Sequence, residues 1–339
     1  MELYCIILIC LAAIFLFVLL FFAGVTLWIQ KIRFGNRSEG NPLLKYYTAD
    51  DFKNIKAEPV SFPSDKGQIL RGFLYSDNKY KVFKGLVIWV HGFGAGHNAY
   101  TTEIVYLARQ GYLVLGYDNT GCVMSDGKKI GGLTQGAIDV EYAIRFVAKD
   151  ERLCLYKRIL VGHSWGGYSA MNIFSTQEYV DGVVAMCGFD SAYQIIADMS
   201  KRYFGGFSYL IYCYARLFDR LRFGKYGALS AKKSLQKSEV PVLLLYGEKD
   251  GVVYYKTNGK KILETVSDKN NIQSITYPEK GHSVYLTPSA ENYMKEIFSK
   301  ILSPQADKSI ASNINYSLIT EEDFSVMEKI KEFANSIFQ

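Results

Sequence analysis

The sequence predicts an α/β protein with a mostly parallel eight-stranded sheet and helices on both faces. Runs of β-branched and aliphatic residues indicate strands near 58–62, 68–75, 84–90, 112–117, 157–162, 182–187, 240–246 and 272–277. Helical patterns separate most of these runs, as in 133–149, where apolar residues recur three or four positions apart. Strands that alternate with helices favour a parallel sheet covered on both sides. The first two runs have no helix between them and predict an antiparallel hairpin at the sheet edge.

The chain of 339 residues has room for one domain of about 250 residues with additions at both ends. We expect a membrane anchor at 1–30, a juxtamembrane linker at 31–56, the α/β domain at 57–302, and a tail at 303–339 that ends in a packing helix. In that tail, Thr320 is a candidate N-cap. The apolar side chains expected on the buried face of its helix are Phe324, Met327, Ile330 and Phe333.

The N-terminus carries the strongest signal for a membrane. Residues 3–29 contain no charged side chain, and a span needs about 20 such residues. The chain starts with Met1 and Glu2, without the basic residues of a cleavable signal, and no clean cleavage site follows. We therefore predict an uncleaved single-pass anchor, with a cleaved signal peptide as the main alternative.

The charges that follow the apolar stretch predict its orientation. The basic residues Lys31, Arg33 and Arg37 follow the apolar stretch, and the first acid after it is Glu39. Because basic residues flank membrane spans on the cytoplasmic side, we expect the N-terminus outside and the large domain in the cytoplasm.

Composition excludes some classes of partner and cofactor. A net charge of +6 without a basic tract fits an anionic membrane surface better than nucleic acid. The six cysteines show no C-x-x-C or metal-ligand spacing. We expect no nucleic acid, metal or cofactor, and the sequence leaves the oligomeric state open.

The motif with most chemical content is G-x-S-x-G at 162–166, which follows an apolar strand and precedes a helical pattern. This arrangement predicts a sharp strand-to-helix turn that exposes the hydroxyl of Ser164 as a nucleophile. Small residues are needed at both ends because neighbouring backbone crowds such a turn.

Partners for that serine follow in chain order. A late strand ends in an acidic turn that contains Asp250, and the next strand leads to His282. Only four histidines are present, and His282 is the one in a polar turn after a late strand, which makes it the candidate general base. Asp250 would fix its tautomer and stabilise the imidazolium. Asp190, which follows the preceding strand, is the rival acid.

An oxyanion hole is predicted from two backbone N–H groups. A buried strand ends in a His-Gly-rich loop at 91–96, and such a loop after an early strand supplies one donor. We assign the donors to Phe93 and to Trp165, the residue after the nucleophile. His91 is interpreted as structural, with hydrogen bonds that hold the loop.

Taken together, the serine turn, the His-Gly loop, the Asp turn and the late histidine resemble the α/β-hydrolase superfamily, over roughly residues 57–301. The chain looks closest to single-pass membrane-anchored serine hydrolases of the lysophospholipase-like or acyl-protein thioesterase-like kind. The resemblance implies that the aromatic-rich insertion at 191–237 forms a helical cap. We expect this cap to be a lid that binds an acyl chain or dips into the bilayer interface, or a helix pair that packs on the sheet, or both.

The expected function is hydrolysis of esters or thioesters of small amphiphilic acyl substrates through an acyl-enzyme on Ser164, at a membrane lipid surface. A peptidase of the same fold and a catalytically silent binding protein are the alternatives.

Overall fold

A computed structural model describes residues 2–94, 96–176, 178–303 and 308–339. Its first helix, α1, spans Glu2–Phe34 and is long and apolar enough to cross a membrane. The boundary expected at residue 30 falls inside this helix. Lys31, Ile32 and Arg33 are compatible with helix, and the Gly35 N–H still bonds to the Lys31 carbonyl at 2.9 Å.

The sheet has eight strands in the order β1-β2-β4-β3-β5-β6-β7-β8. β1 pairs antiparallel with β2, and β2 antiparallel with β4; the other neighbours are parallel. The predicted edge hairpin and the mostly parallel sheet are therefore confirmed. The strands are β1 Ile55–Pro63, β2 Ile69–Asp77, β3 Leu86–Val90, β4 Leu113–Tyr117, β5 Arg158–His163, β6 Gly182–Met186, β7 Val242–Gly247 and β8 Ile272–Tyr277.

Helices cover both faces of the sheet, as predicted. One face packs against α3, α7 and α8, and the other against α2, α9 and α12. The helix predicted over 133–149 is α3. The bounds are α2 Thr101–Arg109, α3 Thr134–Lys149, α4 Trp165–Met171, α5 Ala192–Phe204, α6 Ser208–Phe223, α7 Ala231–Leu235, α8 Gly259–Thr265, α9 Pro288–Ile301, α10 Lys308–Ser312, α11 Tyr316–Ile319 and α12 Phe324–Phe338.

The tail differs from the sequence prediction in its details. The N-cap of α12 is Asp323, whose carboxylate accepts from the N–H groups of Ser325 and Val326, whereas Thr320 directly follows α11. Lys280 forms an ion pair with Asp323 at 2.6 Å and so holds the cap in place. Phe324, expected on the buried face, is 69% exposed. The buried face starts two residues later, and its side chains are Val326, Met327, Ile330, Phe333, Ala334 and Ile337.

The 191–237 segment is helical, with α5, α6 and α7 joined by short turns. Ile211 and Ala215 of α6 are fully buried in a cluster that also contains Trp165 from α4 and Phe22 from α1. The cap therefore packs between the N-terminal helix and the nucleophile end of the sheet.

Candidate active site

Ser164 occupies the turn between β5 and α4 with φ 56° and ψ −112°, a strained conformation for a residue with a side chain. The turn is tight enough to exclude larger residues at both flanking glycines. A Cβ on Gly166 would lie 1.9 Å from the Val90 carbonyl oxygen, and one on Gly162 would lie 2.3 Å from the Gly166 carbonyl oxygen. The backbone geometry is thus the strand-to-helix turn that the motif predicts.

The structure brings Asp250 and His282 together. His282 Nδ1 lies 2.7 Å from Asp250 Oδ2. The other carboxylate oxygen of Asp250 accepts the N–H groups of Val252 and Val253, each at 2.8 Å. Because the ionised carboxylate only accepts, Nδ1 carries the hydrogen and Nε2 has its lone pair free for a proton.

The rival acid lies in a different set of contacts. The Asp190 carboxylate accepts the hydroxyl of Ser230 at 2.7 Å and the backbone N–H of Lys232 at 3.0 Å, and the Lys232 ammonium lies 3.3 Å away. These contacts join the end of β6 to the start of α7. Asp190 therefore ties the cap to the sheet and makes no hydrogen bond to His282.

Glu291 supports the histidine turn and was missed by the sequence analysis. Its carboxylate accepts the N–H groups of Gly281 at 3.0 Å and His282 at 2.8 Å. The side chain is almost fully buried on α9, nine residues after the histidine. Pro288 signals the start of that helix, but no local pattern shows that its first turn folds back on the loop.

A second histidine lies against the first. His163 Nε2 donates to the carbonyl of His282 at 2.9 Å, and its Nδ1 is 2.9 Å from the hydroxyl of Tyr100. That hydroxyl also accepts the N–H of Gly92 at 3.1 Å. Burial, together with the adjacent His282, holds the pKa of His163 well below its usual value, so this imidazole is neutral. It connects the His-Gly loop to the backbone of His282.

The predicted oxyanion donors lie in the loop after β3, for Phe93, and at the first residue of α4, for Trp165. The ring centroids of Phe93 and Trp165 are 5.9 Å apart, and neither backbone N–H has a protein partner in the described part of the chain. The imidazole of His91 forms hydrogen bonds that hold the loop, which is the structural role expected for it. Its Nδ1 donates to the Gly92 carbonyl at 2.7 Å, and its Nε2 accepts the N–H of Asn119 at 2.9 Å.

A cavity of about 640 Å³ opens beside Ser164 and His282. Its walls come from the 40–47 segment, the start of α2, and the chain from α9 to α11. The apolar part of the wall includes Leu44, Leu286, Met294, Phe298, Leu302 and Ile319. None of the described lining residues belongs to 191–237, so the cap does not form a wall of this cavity. This differs from the expectation that the cap binds the acyl chain. The linker and tail segments occupy that position instead.

Three potential metal ligands cluster at the base of the site. Atoms of Cys187, Asp250 and His282 lie within 4.8 Å of one another. Burial raises the pKa of the Cys187 thiol well above its usual value, and a protonated thiol is a poor ligand. The His282 nitrogen in this group is already paired with Asp250. The arrangement is that of an Asp–His pair rather than of a metal centre.

Comparison with known proteins gives the same fold. The serine aminopeptidase, S33 family matches residues 82–226. An esterase from Pyrococcus furiosus superposes with a TM-score of 0.57 at 16% identity, over 78% of this chain and 96% of that chain. Acetyl xylan esterase 1 from a Thermoanaerobacterium species superposes with a TM-score of 0.54 at 18% identity, over 77% and 87%.

The chain has the α/β-hydrolase fold. Three features are typical of this fold: the sheet order, the serine turn, and the positions of the Asp and His turns after β7 and β8. No curated protein matches the chain in sequence. Because identities to the solved structures are low, these structures establish the fold of the chain and not its substrate.

Proposed function

We propose that the protein is a membrane-anchored serine hydrolase that cleaves esters or thioesters of small amphiphilic acyl substrates. The observation that carries the proposal is the hydrogen bond between His282 and Asp250 at one wall of a cavity that Ser164 also lines. Ser164 sits on a strained turn, and the backbone N–H groups of Phe93 and Trp165 have no protein partner among the described residues. This is the set of groups that acyl transfer to serine requires.

In the proposed reaction, Ser164 Oγ attacks the acyl carbonyl while His282 Nε2 takes its proton. The N–H groups of Phe93 and Trp165 stabilise the negative charge on the oxygen. His282 then protonates the leaving alcohol or thiol, which departs and leaves an acyl-Ser164 ester. Water, deprotonated by His282, attacks that ester, and the proton returns to Ser164 Oγ as the acid leaves. Asp250 keeps the hydrogen on Nδ1 throughout.

The cavity supports an acyl chain as the bound group. Aliphatic and aromatic side chains from α9, α11 and the 40–47 segment line much of it, and an apolar chain gains free energy by leaving water for such a wall. Both solved structures cited above are named esterases. Ester cleavage is therefore the first chemistry to test.

The N-terminal helix supports attachment to a membrane. Most side chains from Leu3 to Phe21 are exposed and apolar, and 19 such residues extend about 28 Å, close to the thickness of a bilayer core. Lys31 and Arg33 are exposed at its C-terminal end. This charge distribution favours a cytoplasmic α/β domain, with membrane lipid as the surrounding surface.

The experiment is labelling of detergent-solubilised full-length protein with a fluorophosphonate, with Ser164→Ala as the control. The same samples are assayed on p-nitrophenyl esters from acetate to palmitate and on lysophosphatidylcholine. We expect labelling and ester cleavage by the wild type and neither by the mutant. A folded wild type that takes no label and cleaves no ester would contradict the proposal and favour a silent binding protein.

A peptidase is the second candidate, because the matching family is described as a serine aminopeptidase. The same acyl-enzyme chemistry would then release an amine. Aminoacyl-naphthylamides distinguish the two candidates: turnover of these amides above that of the esters would favour the peptidase.

A further inference from the structure

The C-terminal part of α1 is packed on the α/β domain. Phe22, Thr26, Gln30 and Phe34 are buried at a spacing of four residues, whereas every described residue up to Phe17 is exposed. A helix of 33 residues is about 50 Å long, which exceeds a bilayer core of about 30 Å. The surplus length is therefore available to contact the protein.

The chain that follows α1 is also fixed. The Phe34 carbonyl accepts the N–H of Gly131, and Ser38 exchanges backbone hydrogen bonds with the 121–123 segment. The Arg37 guanidinium donates to the carbonyls of Val123 at 2.8 Å, Ser125 at 2.9 Å and Gly127 at 2.6 Å. No flexible tether separates the helix from the domain across these described residues, so the end of α1 cannot move without moving its partners.

At this end, Phe34 contacts a residue of the oxyanion site. The rings of Phe34 and Phe93 meet edge to face, with centroids 5.7 Å apart and planes at 87°. Phe93 in turn packs against Trp165 at 62°. Such aromatic pairs are worth about 0.5–1.5 kcal/mol beyond their buried area. Phe93 is 43% exposed, and its ring contacts α1 on one side and the nucleophile turn on the other.

The rest of the loop restrains Phe93 on its upstream side only. Upstream, His91 and the Gly92 N–H are hydrogen-bonded. Downstream, Gly94 has φ +106° and open space around its Cα, so its backbone has wide conformational freedom. The Phe93 N–H itself has no protein partner in the described part of the chain. The Gly92 carbonyl, which accepts from His91, lies in the same planar peptide as the Phe93 N–H and gives it one restraint. Packing of the Phe93 ring is the second restraint on the direction of this donor.

We propose that Phe34 is a positioning residue for the oxyanion site, and that the anchor helix is thereby a structural part of the enzyme. The inference rests on the proposed function. A donor that must meet developing charge gains its effect from being fixed in advance, and a displacement of about 1 Å can cost about 10²-fold in rate. Loss of the Phe34 ring should reduce turnover more than substrate binding.

The experiment measures kcat and KM of the full-length protein in detergent with p-nitrophenyl butyrate. Phe34→Ala removes the ring, and Phe34→Leu keeps bulk at the same place. Phe22→Ala is the matched control, because Phe22 is equally buried on the same face of α1 but contacts Phe204 and Phe207 of the cap. Melting temperatures verify that each variant is folded.

We expect Phe34→Ala to lower kcat by about 10- to 100-fold with little change in KM, Phe34→Leu to lie between it and the wild type, and Phe22→Ala to keep wild-type kcat. Equal losses of kcat in Phe34→Ala and Phe22→Ala would overturn the inference, as would wild-type kcat in a folded Phe34→Ala. If Phe34→Ala does not fold, the test passes to Phe34→Leu. A wild-type kcat in Phe34→Leu would overturn the inference, and a loss of kcat in Phe34→Leu but not in Phe22→Ala would support it. An inert wild type would overturn the proposed function first, and this inference with it.

Discussion

His163 Nε2 donates a hydrogen bond to the main-chain carbonyl of His282 at 2.9 Å, and the two imidazole centroids are 4.7 Å apart. The residue between the glycine and the serine of the motif therefore supports the turn that carries the proposed general base. Through the Tyr100 hydroxyl it also reaches the loop that carries the proposed oxyanion donor. One neutral imidazole thus links two parts of the site that are far apart in sequence.

The first prediction concerns His163. His163→Ala removes both of its hydrogen bonds, so we expect kcat to fall by about 10- to 100-fold as His282 loses its fixed position. His163→Gln can keep a donor directed at the His282 carbonyl and should retain more activity. The measurement is kcat on p-nitrophenyl butyrate for both variants. Equal losses in the two, with intact folds, would contradict a role for the Nε2 hydrogen bond.

The second prediction assigns the acid. Asp250→Asn removes the carboxylate paired with His282, and we expect kcat to fall by about 10⁴-fold, because the imidazolium loses its stabilising charge and its tautomer is no longer fixed. Asp190→Asn breaks the ion pair with Lys232 instead. It should lower the melting temperature and leave kcat within a few-fold of the wild type. A large loss of kcat in Asp190→Asn alone would reverse the assignment.

The third prediction concerns the strained turn. Gly166→Ala places a Cβ 1.9 Å from a backbone carbonyl of β3, which cannot move without distorting the sheet. We expect a loss of about 3 kcal/mol or more of unfolding free energy and no fluorophosphonate labelling. Gly206→Ala is the control, since nothing lies within 4 Å of its Cβ position. Chemical unfolding of both variants provides the test, and near-wild-type stability of Gly166→Ala would be contrary to the geometry.

Features that depend on neighbouring residues in the sequence could be predicted from it. The eight strands, the edge hairpin and α3 follow from local periodicity, and the serine turn from a motif only five residues long. Asp250 and His282 could be proposed because parallel strands bring their carboxyl ends to one edge of the sheet. The hydrogen bond between His282 and Asp250 agrees with this, since the two residues follow the parallel neighbours β8 and β7.

Supporting residues could not be predicted, because they reach the site from remote segments. Glu291 is on a helix whose own pattern shows only that it is amphipathic. The cavity walls from 40–47 and 316–320 come from stretches that locally resemble linker and tail. Phe34 lies in the stretch that the sequence assigns to a juxtamembrane linker, where nothing local indicates a contact with the site. The N-cap at Asp323 depends on Lys280, more than forty positions away.

The fourth prediction concerns orientation in the membrane. With Lys31 and Arg33 exposed at the end of α1, we expect a C-terminal tag to be protected from protease in intact cells and cleaved after permeabilisation. An N-terminal tag on the same protein should show the opposite pattern and is the internal control. Cleavage of the C-terminal tag in sealed cells would place the α/β domain outside.

The fifth prediction follows from a buried acid in the cavity wall. Glu103, near the start of α2, is only 1% exposed, and it lines the cavity. Burial and the nearby charge of Glu322 raise the pKa of Glu103 to about 8. An acid whose pKa is higher in the folded than in the unfolded state binds its proton more tightly when folded. Its contribution to stability is complete below the ordinary glutamate pKa and is lost as the pH rises through about 8.

We therefore expect Glu103 to lower the melting temperature of the wild type as the pH rises from about 4.5 to about 8. Glu103→Gln keeps a neutral side chain over that range and removes the repulsion from Glu322, so its melting temperature should fall less. Circular dichroism melts in detergent at one-unit pH steps measure both curves. Glu151→Gln, an exposed position, is the control and should follow the wild type. Parallel curves for wild type and Glu103→Gln would show that Glu103 is already ionised at neutral pH. If Glu103 keeps its proton at neutral pH, the cavity wall has no charge at this position. An acyl chain can then lie against Glu103 without the cost of contact with a buried charge.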